Sequence, residues 1–293
     1  MRWDQGNRYG GIEERRGMGG VGLAGGGLGA AVLGLVGYFF FGINPLVIMD
    51  AVNQVAPQTQ QEGRTGTPQD RLGQFVDTIE SSTTDVWRVE FQKMGRTYQP
   101  PNPLVLYDQA TGTQCGTGES AMGPFYCPRD FRVYLDLQFF GELSTRFGAP
   151  GDFAQAYVIA HEIGHHVQNL LGVSDKVEQA ESRAPNRSVA NRYSIALELQ
   201  ADCYAGVWAA HASEVSGGRV ALEPGDLQEG LRAAAAVGDD TLQKQTQGRV
   251  VPDSFTHGTS AQRQHWLEQG YTTGDPKACD TFAATRGIIP GRG

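Results

Sequence analysis

The sequence predicts an α+β fold that is mainly helical. Short apolar runs rich in β-branched and aromatic residues lie between positions 104 and 136, and longer segments with helical periodicity follow. A chain of 293 residues that is 40% hydrophobic can bury one substantial core. The net charge of −8, with no basic stripe after residue 16, argues against a nucleic-acid partner.

The N-terminal part of the chain predicts a membrane anchor. No charged residue occurs from 17 to 49, and the apolar stretch predicts a transmembrane helix at 18–43, long enough to cross about 30 Å of hydrocarbon. The arginines in residues 1–17 predict a cytoplasmic N-terminus and an extracytoplasmic remainder at the cell (inner) membrane. A cleaved signal peptide and a buried core helix are the alternatives. The length of the stretch and its aromatic end favour an uncleaved, single-pass anchor.

A polar segment at 44–70 reads as a linker, so a compact domain is predicted at 71–293. Its first apolar positions, within 72–79 and 86–91, predict two successive amphipathic helices. The Ser/Thr/Asp-rich residues 81–85 between them are typical of a helix cap.

Strands and helices follow in that order. LVLYD (104–108), SAMGPFYC (120–127) and RVYLD (132–136) predict short strands, with a glycine-rich turn after the first. Helical periodicity then predicts five helices. They are expected at about 136–147, 151–171, 188–211, 226–237 and 260–269.

Four cysteines form an even set whose spacings do not match thiolate zinc motifs. Outside the cytoplasm they can form disulfides. Cys115 and Cys127 flank a short turn-rich stretch and are the expected pair, which leaves Cys203 with Cys279. The alternative is four buried free thiols.

The stretch YVIAHEIGHHVQN (157–169) predicts a metal-binding helix. His161 and His165 are four residues apart, so one helix face can direct both imidazoles to one ion. Glu162 lies one step round the helix and can act on a water instead. His166 falls about 100° from His165 and is expected at a surface or interface. Gly164 is small where a metal or a neighbouring helix approaches.

A catalytic zinc commonly takes three protein ligands, so the third should come from another element. Glu198 in IALELQADCYAGVW can complete a two-His, one-Glu set. Asp202, one turn later on the same face, can accept a hydrogen bond from a ligand histidine, with His161 as the expected donor. An exposed acidic pair is the ordinary alternative. It fits poorly because the helix is apolar almost all round.

The segment SFTHGTSAQRQHW supplies two further candidates, His257 and Arg263. A transition state with a developing oxyanion needs donors besides the metal, and His257 in a loop before a helix can point into a cleft. Arg263 can pair with a site carboxylate or with the surroundings of His257. A surface histidine and an ordinary helix arginine are the alternatives.

These segments together resemble a bacterial, membrane-anchored family, the putative neutral zinc metallopeptidases. The matching stretches are MRWDQGNR, SAMGPFYCPRDFRVYLD, AYVIAHEIGHHVQNLLG, ELQADCYAGVWA and SFTHGTSAQR, in one order across most of the chain. More distantly, HEIGH followed by ELQAD is similar to gluzincin metallopeptidases such as thermolysin and the CAAX-processing proteases. The resemblance implies a zincin-like domain.

The gluzincin resemblance also implies roles for individual residues. It implies that His161, His165 and Glu198 bind one catalytic Zn²⁺, that Glu162 is the general base and that Asp202 orients a ligand histidine. The CAAX-processing enzymes have a Thr-His-Pro and a later arginine at the spacing of His257 and Arg263, but this chain has Gly258 in place of the proline. In zincins an edge strand binds the substrate backbone, and SAMGPFYC is the candidate, although Pro124 removes one donor.

The sequence therefore predicts a membrane-anchored, HExxH-type zinc metalloendopeptidase that cleaves extracytoplasmic proteins or peptides. In this mechanism Glu162 moves the proton of the attacking water, and His257, with Arg263, stabilises the oxyanion. A membrane-tethered binding module with a structural zinc, and a zinc amidase acting on cell-wall peptides, are the alternatives.

Overall fold

The computed structural model describes residues 1–17 and 63–285. The α+β, mainly helical fold predicted from the sequence is confirmed. The strands are β1 Ile12–Glu14, β2 Arg64–Thr65, β3 Leu104–Tyr107, β4 Ala110–Thr113, β5 Gly116–Glu119, β6 Phe125–Cys127 and β7 Arg132–Asp136. The helices are α1 Arg71–Lys93, α2 Gln138–Thr145, α3 Asp152–Leu170, α4 Val173–Ser182, α5 Arg187–Ser216, α6 Asp226–Ala236, α7 Asp239–Gln247 and α8 Ser260–Thr273.

Five strands form one sheet in the order β2-β1-β3-β7-β6. The three inner strands run parallel, and the outer strands β2 and β6 are antiparallel to their neighbours. Strands β4 and β5 form a separate hairpin where the sequence predicted only a glycine-rich turn. Of the predicted strand at 120–127, only Phe125–Cys127 is extended, because Ser120–Met122 form a 3-10 turn and Pro124 lacks a backbone donor. This strand is an edge of the sheet, as predicted.

Helix α1 is one helix of 23 residues, so the prediction of two helices with a cap between them is wrong. The hydroxyl-rich residues that looked like a cap are buried and find partners inside the fold. Thr83 Oγ1 donates to the Glu80 carbonyl, and Ser82 Oγ accepts the indole N–H of Trp208. Because these partners come from within the helix and from α5, the hydroxyls do not have to end the helix.

The N-terminal residues belong to the same folded body as the rest of the described chain. Strand β1 lies between β2 and β3, Trp3 is buried with 3% exposure, and its indole N–H donates to Asp152 at the start of α3. Strand β2 falls within the predicted linker. Within the described residues, the segment at 1–17 and β2 pack together with the sheet and helices that follow residue 71.

Within the two described ranges, no helix combines the length and apolar composition needed to cross a membrane. The predicted transmembrane helix at 18–43, and the linker as far as residue 62, lie outside those ranges.

The five helices predicted after residue 136 are present with shifted ends. The largest shift is in α5, which runs to Ser216 and ends at Gly217 in the left-handed conformation (φ 63°). Helices α4 and α7 were missed, because both are short and polar with few buried positions. Both predicted disulfides are present, Cys115–Cys127 and Cys203–Cys279, and free cysteines are absent from the part of the chain that the structure describes.

Candidate metal centre

Helix α3 carries the histidine motif through the middle of the core. It begins after Gly151 (φ 126°), and it packs against α5 and α6. A Cβ atom on Gly164 would lie only 3.0 Å from the backbone carbonyl oxygen of Ala201, so a larger residue would press on α5 where the two helices cross. Of the two reasons expected for a small residue there, the neighbouring helix is the one observed.

Three side chains converge between α3 and α5. The Nε2 atoms of His161 and His165 are 3.2 Å apart. Glu198 brings one carboxylate oxygen to 3.2 Å from His161 Nε2 and the other to 3.4 Å from His165 Nε2. Among the residues of the two described ranges, this is the group of three or more His, Cys, Asp or Glu side chains whose ligand atoms could hold one ion.

This geometry fits a zinc ion. Bond lengths of about 2.0–2.1 Å in a tetrahedral site place two ligand atoms about 3.3 Å apart. The observed separations of 3.2–3.4 Å match that value. Two imidazoles and one carboxylate are also the ligand types that catalytic zinc accepts while keeping a position open.

The Nδ1 atom of each of these two histidines faces an oxygen acceptor. His161 Nδ1 lies 2.8 Å from Asp202 Oδ1, as the sequence predicted, and His165 Nδ1 lies 2.9 Å from Gln168 Oε1, which it did not. If both Nδ1 atoms carry the proton and donate it, both Nε2 lone pairs point at the shared position. These are the tautomers that a metal at this position would require.

Asp202 is fully buried and has a second partner in Arg263. The guanidinium donates from Nε to Oδ2 and from Nη2 to Oδ1, both at 2.9 Å, while the Tyr157 hydroxyl donates to Oδ1 at 2.6 Å. Arg263 is 4% exposed and lies behind His161. Arg263 therefore pairs with a site carboxylate, one of the roles expected from the sequence, and it supports Asp202.

The electrostatics of the cluster favour positive charge at the shared position. Burial lowers the pKa of His161, but the Asp202 carboxylate outweighs it and raises the pKa to about 10. Burial likewise opposes ionisation of Asp202, yet Arg263 and His161 hold its pKa at about 2. The pKa of Glu198 lies well below its ordinary value, because the histidines overcome the effect of burial. An ion of positive charge is therefore stabilised there.

Glu162 is 7% exposed, and it is close enough to His161, His165 and Glu198 for their charges to act on its carboxyl group. Burial raises its pKa above the ordinary value, although the neighbouring imidazoles lower it. A carboxylate with a raised pKa is a better proton acceptor than one in water, because its conjugate acid is weaker.

His257 is held by Asp239, the first residue of α7. Asp239 Oδ2 accepts the backbone N–H groups of Thr256, His257 and Gly258 at 2.7–3.0 Å, and Oδ1 lies 3.4 Å from His257 Nδ1. Burial lowers the pKa of His257, but Glu198 and Asp239 raise it overall. The N–H of Gly258 and its φ of 93° explain the departure from proline, which has neither. The sequence missed Asp239 because it looks like an ordinary helix start.

His166 does not join the cluster, and its predicted exposure is wrong. It is 1% exposed, its Nδ1 accepts the Tyr126 hydroxyl at 3.0 Å, and its Nε2 donates to the Gln99 carbonyl at 2.8 Å. Burial lowers its pKa to about 4, so it is neutral. It ties the edge strand β6 to α3 rather than binding a metal.

The sequence profile of a family described as putative neutral zinc metallopeptidase matches residues 1–282. The chain belongs to that family. No solved structure matches it.

Two relatives in this family are similar over most of their length. The chain is 48% identical to the uncharacterized protein YpfJ of Escherichia coli K12 over 294 residues, covering 96% of this chain and 99% of the relative. It is 45% identical to the uncharacterized protein Rv2575 of Mycobacterium tuberculosis H37Rv over 245 residues, 80% of each. The family supports a zinc-dependent peptidase, and the residues that converge here can hold zinc.

Proposed function

We propose that the protein is an endopeptidase that uses one zinc ion, held by His161, His165 and Glu198, to hydrolyse peptide bonds of extracytoplasmic proteins or peptides. The observation that carries this proposal is the convergence of two Nε2 atoms and a carboxylate, with Glu162 beside them. A zinc-like tetrahedron without Glu162 would also suit a structural site, so this glutamate favours catalysis.

In this proposal the bound zinc supplies a Lewis acid that polarises the scissile carbonyl and lowers the pKa of water. Glu162 accepts a proton from the attacking water and later donates it to the leaving amine. His257, whose pKa Glu198 and Asp239 raise, donates a hydrogen bond to the oxyanion. Arg263 keeps Asp202 ionised, and Asp202 in turn holds the ring of His161.

The substrate backbone is proposed to pair with β6. That strand ends the sheet among the described strands, so the backbone groups on its outer side have no ladder partner. Tyr126 of β6 is fixed to α3 through His166 and Asn169, which holds the strand edge against the motif helix. An extended peptide added to this edge would be read by main-chain hydrogen bonds.

The test uses the purified full chain and an unfolded, alkylated protein as substrate. We expect cleavage that a chelator abolishes and that added zinc restores. Glu162→Gln should lower kcat by about 10²–10⁴-fold while zinc still binds, because the base is lost and the ligands remain. Glu80→Gln is the matched control: it changes another buried glutamate and should leave kcat unchanged.

Two outcomes separate the alternatives. Cleavage that persists in Glu162→Gln would refute the mechanism. Wild-type protein that binds zinc but cleaves no unfolded protein would favour the binding module. Release of the peptides attached to cell-wall amino sugars, without cleavage of unfolded protein, would favour the amidase.

We further propose that this body works outside the cytoplasm and is attached to the membrane through residues 18–43. Two buried disulfides support an oxidising compartment, and the uncharged sequence supports the attachment. Tyr9→Cys and Val250→Cys place thiols at exposed positions, 52% and 43% in the wild type. Because residues 9 and 250 lie in the same folded body, a membrane-impermeant maleimide should label both from the extracytoplasmic side. Labelling of position 250 alone would contradict this arrangement.

A further inference from the structure

The second nitrogens of the two ligand histidines are supported in different ways. His161 Nδ1 meets a carboxylate, that of Asp202, at 2.8 Å. His165 Nδ1 meets a neutral amide, that of Gln168, at 2.9 Å, one turn further along α3. A neutral amide can accept the imidazole proton only if its oxygen faces the ring, so the orientation of Gln168 matters.

That orientation is fixed by α5. Gln168 Nε2 donates to the Leu197 carbonyl at 2.7 Å and lies 3.1 Å from Gln200 Oε1. Both of these atoms are acceptors, so the NH₂ group must face α5 and the oxygen must face His165. The side chain of Gln168 is fully buried, which makes the flipped orientation costly.

Gln200 is in turn oriented by the C-terminal tail. Its Nε2 donates to the Cys279 carbonyl at 3.0 Å, and this leaves its Oε1 for Gln168. Cys279 is joined to Cys203 of α5 by a disulfide and is 1% exposed. Two residues later, the Thr281 hydroxyl donates to the Ala196 carbonyl of α5.

A continuous chain of hydrogen bonds therefore runs from His165 through Gln168 and Gln200 to the disulfide-bonded tail. The oxygen and the NH₂ group of each amide are both hydrogen-bonded. A flip of either amide would therefore place an acceptor against an acceptor or a donor against a donor. In an ordinary pair of buried amides, the hydrogen bonds would satisfy other polar groups and would not reach a histidine that binds metal.

We propose that Gln168 and Gln200 are positioning residues that, held by the Cys203–Cys279 tail, orient the His165 ring so that Nδ1 faces Gln168 and Nε2 faces the shared position, and thereby strengthen zinc binding. This rests on the proposed function in one respect, that His165 is a zinc ligand. Loss of a partner that orients a ligand commonly weakens metal affinity by about 10–100-fold.

The test measures zinc affinity of the metal-free full chain by competition with a chromophoric chelator. Gln168→Met fills the same space without an acceptor, and we expect zinc to bind about 10–100-fold more weakly. Gln168→Glu keeps an oxygen for His165 but loses the donors to α5. It should bind zinc as tightly as the wild type while its Tm without zinc falls.

Three further variants complete the design. Gln200→Met, and separately the pair Cys203→Ser with Cys279→Ser, should each weaken zinc binding by a smaller factor, and Gln200→Met also serves if Gln168→Met does not fold. Gln264→Met is the control, because this glutamine donates to the Leu231 carbonyl away from the site. It should leave zinc affinity unchanged.

A zinc affinity of Gln168→Met and Gln200→Met within twofold of the wild type would overturn the proposal. Equal losses of zinc affinity in Gln168→Glu and Gln168→Met would also overturn it, since an amide with a purely structural role predicts equal losses. Wild-type protein that binds no zinc would instead refute the proposed function. Failure of the hydrogen-bond chain alone would leave zinc binding by the wild type intact.

Discussion

Two clusters of buried polar side chains lie in one core, the metal centre between α3 and α5 and a polar stripe on α1. We define the stripe by Asp77, Glu80, Ser81 and Thr84, which repeat at helical spacing and are at most 5% exposed. Its partners are backbone groups and its own hydroxyls. Asp77 accepts the Gly10 N–H at 3.1 Å, and Ser81 accepts the Tyr9 N–H at 3.0 Å.

The two clusters differ in where their lone pairs point. At the metal centre, each histidine Nδ1 faces an acceptor. His161, His165 and Glu198 then direct their remaining ligand atoms to one position. On α1 the acceptors are spread along the helix and hold the N-terminal segment in place. Burial of polar groups thus does not by itself indicate chemistry. Convergence of unshared lone pairs does.

The largest expected effect comes from Asp202→Ala at the metal centre. The change leaves the Arg263 guanidinium buried without its carboxylate, which should cost about 3–5 kcal/mol of the free energy of unfolding. It also removes the acceptor for His161 and should weaken zinc binding by about 10–100-fold. Denaturant unfolding of the metal-free chain and chelator competition measure the two effects separately.

Trp3→Ala tests the other side of the comparison. Its ring packs edge-on against Phe75 at 5.0 Å between centroids, and its N–H donates to Asp152 on α3. Truncating a fully packed tryptophan should lower the free energy of unfolding by about 3–5 kcal/mol. Zinc affinity should stay at the wild-type value, and a matching loss of zinc binding would mean that the N-terminal segment shapes the metal centre.

Glu80→Gln separates the clusters by pH. Burial raises the pKa of Glu80 to about 7, against an ordinary value of 4.5, so the folded state binds more protons than the unfolded state between these values. The wild-type free energy of unfolding should therefore fall as pH rises through this window, by about 3 kcal/mol at most. Unfolding curves at pH 5 and pH 8 should show this fall in the wild type, whereas an equal fall in Glu80→Gln would refute it.

The smallest effect is expected from Asp77→Ala, the stripe counterpart of Asp202→Ala. The Gly10 N–H loses its acceptor, which should cost about 1–3 kcal/mol of the free energy of unfolding. Because Asp77 contacts no metal ligand, calorimetric zinc titration should give the wild-type affinity. A tenfold weaker affinity would erase the proposed difference between the two clusters.

Local patterns in the sequence were enough to predict which residues converge at the candidate metal centre. The four-residue spacing of His161 and His165 depends only on helix geometry, and the apolar surroundings of Glu198 made an exposed acidic pair a poor explanation. The disulfide pairing was also accessible from spacing and compartment.

The features that the sequence did not predict depend on contacts between distant segments. Strand β1 is three residues long with two glutamates, and each residue pairs with a β3 residue 92 positions further along the chain, as Ile12 does with Leu104. The unbroken α1 needs Trp208 and the N-terminal backbone to satisfy its hydroxyls. Asp239 and Gln168 have ordinary polar identities, so only the fold shows what they orient.

X-ray absorption at the zinc edge of the full chain tests the central claim most directly. We expect one zinc per chain with two imidazole nitrogens, carboxylate oxygen and no sulfur, and loss of the bound zinc in the double variant His161→Ala with His165→Ala. A sulfur-containing shell, an all-oxygen shell, or an unchanged spectrum in that variant would contradict a site built from His161, His165 and Glu198.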